Sequence, residues 1–142
     1  MSIILESSVA AFGFYAALNA LIVITLSMLV VRARARTQTL IGDGGNPEVM
    51  GAIRAHANNA EYVPIAFVLM WTLTSPLSHS IWMIHAVGAP LTIGRILHGY
   101  GLSHSVGTSM PRSAGMILTY LAYVIGIVAV LWVVFLPQMA VS

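Results

Sequence analysis

The chain has 142 residues, of which 58% are hydrophobic and only 7% charged, with a mean hydropathy of +0.91. Soluble domains carry roughly 25% charged residues, so this chain cannot cover a water-facing surface, and lipid must be its main solvent. The net charge of +2 rests on six arginines and no lysine, too few and too scattered for nucleic-acid binding, and the absence of cysteine excludes disulfides, thiolate metal sites and a cysteine nucleophile.

The first apolar run, residues 8–31, is too long for a signal-peptide core and lacks a basic leader, so it reads as a retained transmembrane helix. It ends in "RARAR", with Arg32, Arg34 and Arg36 interleaved with alanine. "GDGGNP", residues 42–47, signals a loop, because paired glycines and Asn-Pro punctuate a chain. A second helix is predicted over about 48–74, with Asn46 as N-cap and Pro47 at the first helical position. Ser75-Pro76 ends it. A third helix is predicted over about 80–101 and a fourth over about 113–136, stopped by Pro137. The expectation is an all-α integral membrane protein, a four-transmembrane-helix bundle forming one domain over residues 1–142.

With four spans, the 1–2 and 3–4 loops lie on one side. All six arginines fall at those two junctions, which makes that face cytoplasmic and puts both termini outside. Trp71, Trp82 and Trp132 then sit near the outer ends of their helices, as an interfacial belt requires. Gly88 and Gly94 offer close helix approach, and Pro90 predicts a kink in the third helix.

The first half of the second helix carries "RAHANNAEYVP", residues 54–64. At helical spacing Arg54, Asn58, Glu61 and Tyr62 form one polar stripe, while His56 points away beside Asn59. A charge at the centre of a bilayer costs about 2.5–3.5 kcal/mol on insertion scales, so the stripe must face other helices or a wet cavity. One reading is structural, an Arg54–Glu61 ion pair that fixes helix register. The other is a site for a small, multiply charged ligand, favoured by the further supply of Arg95, His98 and Tyr100 from the third helix. Arginine binds carboxylates through paired hydrogen bonds, glutamate pairs with ammonium, and asparagine donates and accepts. That chemistry suits a zwitterionic, peptide-like molecule. His104 can also line the site, His79 reads as a solvated loop residue, and His85 as a helix residue bonded to a neighbouring helix. The histidines lack metal-ligand spacing, so no metal is expected.

Arg54, Ala55, His56, Asn58, Glu61, Tyr62 and Pro64 match a signature that resembles the MAPEG family, membrane-associated proteins in eicosanoid and glutathione metabolism. "RILHGYG", residues 95–101, is similar to the end of the third helix in the leukotriene C synthase branch. The likeness extends to the microsomal glutathione transferases, and the "GDGG" loop looks most like a bacterial inner-membrane branch. The resemblance implies a homotrimer with glutathione as co-substrate, bound between subunits near the cytoplasmic face of the inner membrane. The implied activity is that of a glutathione S-transferase or glutathione-dependent peroxidase on a hydrophobic electrophile. The alternative is a non-catalytic lipid-binding or scaffold member. By position it implies glutathione contacts at Arg54, His56, Asn58, Glu61 and Tyr62, with Tyr100 from a neighbouring subunit. One of Arg32, Arg34 and Arg36 would contribute as the first-loop arginine, and Arg112 would stabilise the thiolate. Two departures stand out: Ile96 replaces a tyrosine of leukotriene C synthase, and the segment from Tyr100 to Arg112 is longer.

The arginine asymmetry yields a direct test. Reporter fusions at Gly44 and Ser105 are expected to read cytoplasmic and one after Ser142 outside. The reverse pattern would contradict the assigned topology.

Overall fold

The computed structural model describes residues 7–75 and 80–139, with side chains through residue 135. Ser142, Pro76 and His79 lie outside the described residues. Four α-helices follow one another: α1 (Ser8–Thr37), α2 (Pro47–Thr72), α3 (Ile81–His104) and α4 (Met110–Met139).

Local chemistry sets their ends. Ser7 caps α1, its Oγ accepting from the amide of Ala10 at 3.0 Å. The helix runs six residues past the predicted end at Val31, because alternating arginine and alanine are strong helix formers. It stops where Gln38 turns left-handed, at φ 57°. The Arg34 guanidinium folds back over that end and donates to the Leu40 carbonyl at 2.9 Å. Gly42, Gly44 and Gly45 all have positive φ, which explains the glycine density of the loop. Asn46 then caps α2, its Oδ1 accepting from Glu48 and Val49, with Pro47 in the first turn. α3 continues through Pro90 and extends three residues beyond Gly101. α4 begins three residues before Ser113 and runs past Pro137, which near a helix end forfeits a single intrahelical bond.

α1 and α4 are each long and apolar enough to cross a membrane, with mean hydropathies of 2.3 and 2.5. α2 and α3 carry the polar residues. α2 and α3 each pack on the other three helices, α3 most extensively on α4, whereas α1 and α4 do not touch one another among the described residues. The α3–α4 contact is made through glycine. A Cβ on Gly94 would come within 2.8 Å of the Gly115 carbonyl oxygen, and one on Gly115 within 2.6 Å of the Gly94 oxygen. Gly101 adds a third close approach, a Cβ there coming 2.7 Å from the Arg112 backbone nitrogen.

The main core, around Ala11, Tyr15, Met70, Leu73, Ile84, Val87 and Leu91, occupies the half of the bundle that bears the tryptophans. Buried polar groups stitch it. Asn19 donates to the Tyr15 carbonyl and to Thr92 Oγ1, both at 2.9 Å. The Tyr15 hydroxyl meets His85 Nδ1 at 3.0 Å, the interhelical bond expected of that histidine. The outward surface is apolar, and exposed Trp71, Trp82 and Trp132 gather at one end.

The glycine contact generates a stability test. Gly115→Ala should cost roughly 1–3 kcal/mol through overpacking and lower the thermal midpoint in detergent. Gly13→Ala, with open space around its position, should not.

Candidate functional site

The polar stripe of α2 meets α3 through Arg95 and α4 through Tyr120 and Tyr123. Arg95 on α3 is 1% exposed. Its Nη1 donates to Asn58 Oδ1 at 2.8 Å, its Nη2 to the Met116 sulfur at 3.5 Å, and its Cζ lies 5.4 Å from the centre of the Tyr62 ring. Arginine only donates, so Asn58 must turn its oxygen toward Arg95 and keep its amide hydrogens for other partners. One turn earlier on α2, Arg54 Nη1 stands 3.9 Å from Glu61 Oε1. Both side chains are about half exposed, so water and ligand compete readily for this pair.

Between α2, α3 and α4 lies a cavity of about 250 Å³ whose polar lining is Arg54, Asn58, His98 and Arg112. Among the described residues no carboxylate lines it, and a positive, donor-rich cavity of this kind selects an anion. His98 is buried, with Nδ1 3.1 Å from the Arg112 carbonyl oxygen. The Arg112 guanidinium uses Nη1 to hold the carbonyls of Val106 and Gly107, at 3.2 and 3.0 Å, which folds the α3–α4 loop over the cavity. Beyond the Arg54–Glu61 pair, Glu61 and Tyr62 line an open cleft with Tyr120 and Tyr123. The Tyr123 hydroxyl donates to the Tyr62 carbonyl at 2.6 Å.

Other sequence-predicted residues are placed elsewhere. Tyr100 opens onto a groove of about 410 Å³ between α1 and α3, lined by Leu18, Leu21, Ile22, Leu26, Leu29 and Ile96 among others, with Arg95 at its side. Its ring lies 4.2 Å from that of His104. The half-buried His56 lines none of these spaces. Arg34 is committed to its helix end and Arg36 pairs with Glu48, while Arg32 is exposed. Among the described residues no cluster of His, Asp or Glu is placed to hold a metal. The sequence reading did not single out Tyr120 and Tyr123. Their signal was available: two phenols three residues apart in an otherwise apolar helix share a face and need a polar partner.

The model of the MAPEG family matches residues 12–132. The Inner membrane protein YecN of Escherichia coli is 40% identical over 120 residues, which cover 84% of this chain and 89% of that protein. YecN from a second Escherichia coli strain matches at the same identity and coverage.

Arg95 gives the site its stability test. Asn58→Leu removes the amide oxygen from a buried guanidinium and should destabilise the protein by about 1.5–3 kcal/mol, as losing a hydrogen bond to a charged group does. Asn58→Asp keeps an acceptor there and should be far milder. Thermal unfolding of both variants checks the order.

Proposed function

The chain belongs to the MAPEG family and is a membrane protein, and from that premise we propose that it is a glutathione S-transferase or glutathione-dependent peroxidase of the inner membrane, acting on lipophilic electrophiles. The observation that carries this reading is the convergence of Arg54, Asn58, His98 and Arg112 on one cavity that no carboxylate lines among the described residues, beside the Arg54–Glu61 pair. Two guanidiniums suit the carboxylates of glutathione and its thiolate, and Glu61 suits its ammonium. Binding would exchange the loose internal pair for two ligand pairs. In this proposal Arg54 takes a carboxylate, Asn58 donates its free amide hydrogens, and Arg112 stabilises sulfur with the nitrogens not held by the loop. A cation beside a thiol favours the thiolate, the reactive form.

The proposed assembly is a homotrimer in which all four helices of each subunit cross the membrane, the arginine-bearing loops are cytoplasmic and the termini lie outside. Tyr100 supports a shared site. It faces the α1–α3 groove, away from the α2–α4 cavity, so a site using both needs a second copy. One of Arg32, Arg34 and Arg36 would reach the ligand of a neighbouring subunit. Arg32 is the one whose side chain no local contact holds among the described residues. The apolar α1–α3 groove, with Ile96 in its wall, favours a second reading as a lipid-binding protein without catalysis.

Glutathione calorimetry and thiolate absorbance on purified protein separate these readings. Glu61→Gln and Arg54→Ala are each expected to lose roughly 2–5 kcal/mol of glutathione binding. Arg112→Ala should largely retain binding, raise the thiol pKa and slow turnover. A parent protein that binds lipid but not glutathione would replace the enzyme with the lipid-binding reading.

A further inference from the structure

His98 sits against α4 at the back of the cationic cavity and is 4% exposed. A Cβ on Gly115 would come 2.5 Å from its backbone nitrogen and 2.8 Å from its Cβ, so α4 leaves no room behind it. His98 is one of the residues that line the cavity. Nδ1 lies 3.1 Å from the Arg112 carbonyl oxygen. A carbonyl only accepts, so Nδ1 carries a hydrogen, and in the neutral ring Nε2 is the acceptor. That nitrogen is buried and has no hydrogen-bond partner among the described residues. A ring held by a third group, with its other nitrogen free, is the arrangement that activates a nucleophile.

We infer that His98 is the proton acceptor for the thiol of the bound substrate, a catalytic role that rests on the glutathione reading above. The S–H bond breaks, the proton passes to Nε2, and the electron pair stays on sulfur. The sulfur pair then forms the bond to the electrophilic carbon. The leaving group departs with its bonding pair and takes the proton from Nε2. The charged groups around the ring are Arg54 on α2, Arg95 on its own helix and Arg112 on α4. A carboxylate of glutathione offsets the charge of Arg54, and the thiolate that of Arg112. A proton handed from sulfur to Nε2 leaves the net charge of the site unchanged, so a water-poor cavity can accommodate the step. Arg112 then does two things: its carbonyl orients the base and its guanidinium stabilises the thiolate.

The test uses the full-length parent and His98→Gln, which keeps a polar side chain that cannot take up a proton. Glutathione calorimetry in two buffers of different ionisation enthalpy counts protons released, and ultraviolet absorbance reports the thiolate. The parent is expected to form thiolate while releasing well under one proton. His98→Gln should still bind glutathione, but should lose about tenfold or more of its turnover at neutral pH, within the range for a general base, and recover it as pH rises. Identical thiolate titration and proton release in parent and variant would overturn the inference alone. So would a parent that releases a full proton as its thiolate forms. A parent that does not bind glutathione would overturn the glutathione reading, and this inference with it. If His98→Gln does not fold, nitrogen NMR of the histidine-labelled parent decides: Nε2 should gain a hydrogen when glutathione binds, and an unchanged Nε2 overturns the proposal.

Discussion

A buried guanidinium with no carboxylate partner among the described residues organises this bundle. Arg95 lies almost wholly inside, and an isolated charge in such surroundings is costly unless dipoles surround it. The chain supplies them from two other helices: the Asn58 amide and Tyr62 ring from α2 and the Met116 sulfur from α4. Holding the Arg95 terminal nitrogens in this way fixes the rotation of α2 against α3. Once Asn58 is locked, Arg54 one turn before it and Glu61 nearly one turn after it must flank the same region. The Gly94–Gly115 contact brings α4 close enough for its start, with Arg112, to close the cavity.

The other cations are divided by position. Arg34 and Arg36 hold the end of α1 and the start of α2, through the Leu40 carbonyl and Glu48. Arg112 holds the α3–α4 loop with one nitrogen. These contacts are solvent-facing and can be exchanged for a ligand at little cost. The Arg95 contacts cannot. A rigid buried arginine at the centre and exchangeable ones around it are what a site needs if it is to hold its shape while binding a charged molecule.

Much of this was legible in the sequence. Four apolar stretches, the Asn46-Pro47 helix start and the glycine loop follow from local chemistry, and the structure places elements close to them. The stripe Arg54, Asn58, Glu61, Tyr62 follows from the helical period. What local rules could not supply were contacts made across helices. α1 overran its predicted end because the drop in hydropathy at "RARAR" marks a change of solvent rather than a change of backbone. The sequence places Arg95 near the stripe but does not show that it is buried and bonded to Asn58. Tyr100, only two residues from His98, opens on the opposite side of α3, which sequence proximity hides. Tyr120 and Tyr123 were overlooked in a helix whose apolar residues dominate.

The central claim is that glutathione occupies the cavity under the α3–α4 loop. A chain without cysteine allows a direct measurement: a single cysteine placed at Val106, which lines that cavity, labelled by a maleimide with and without S-methylglutathione, which has no free thiol. The ligand should slow labelling at Val106→Cys and leave Leu21→Cys, in the α1–α3 groove, unchanged. Equal labelling of Val106→Cys with and without the ligand, or protection of Leu21→Cys in its place, would contradict the account.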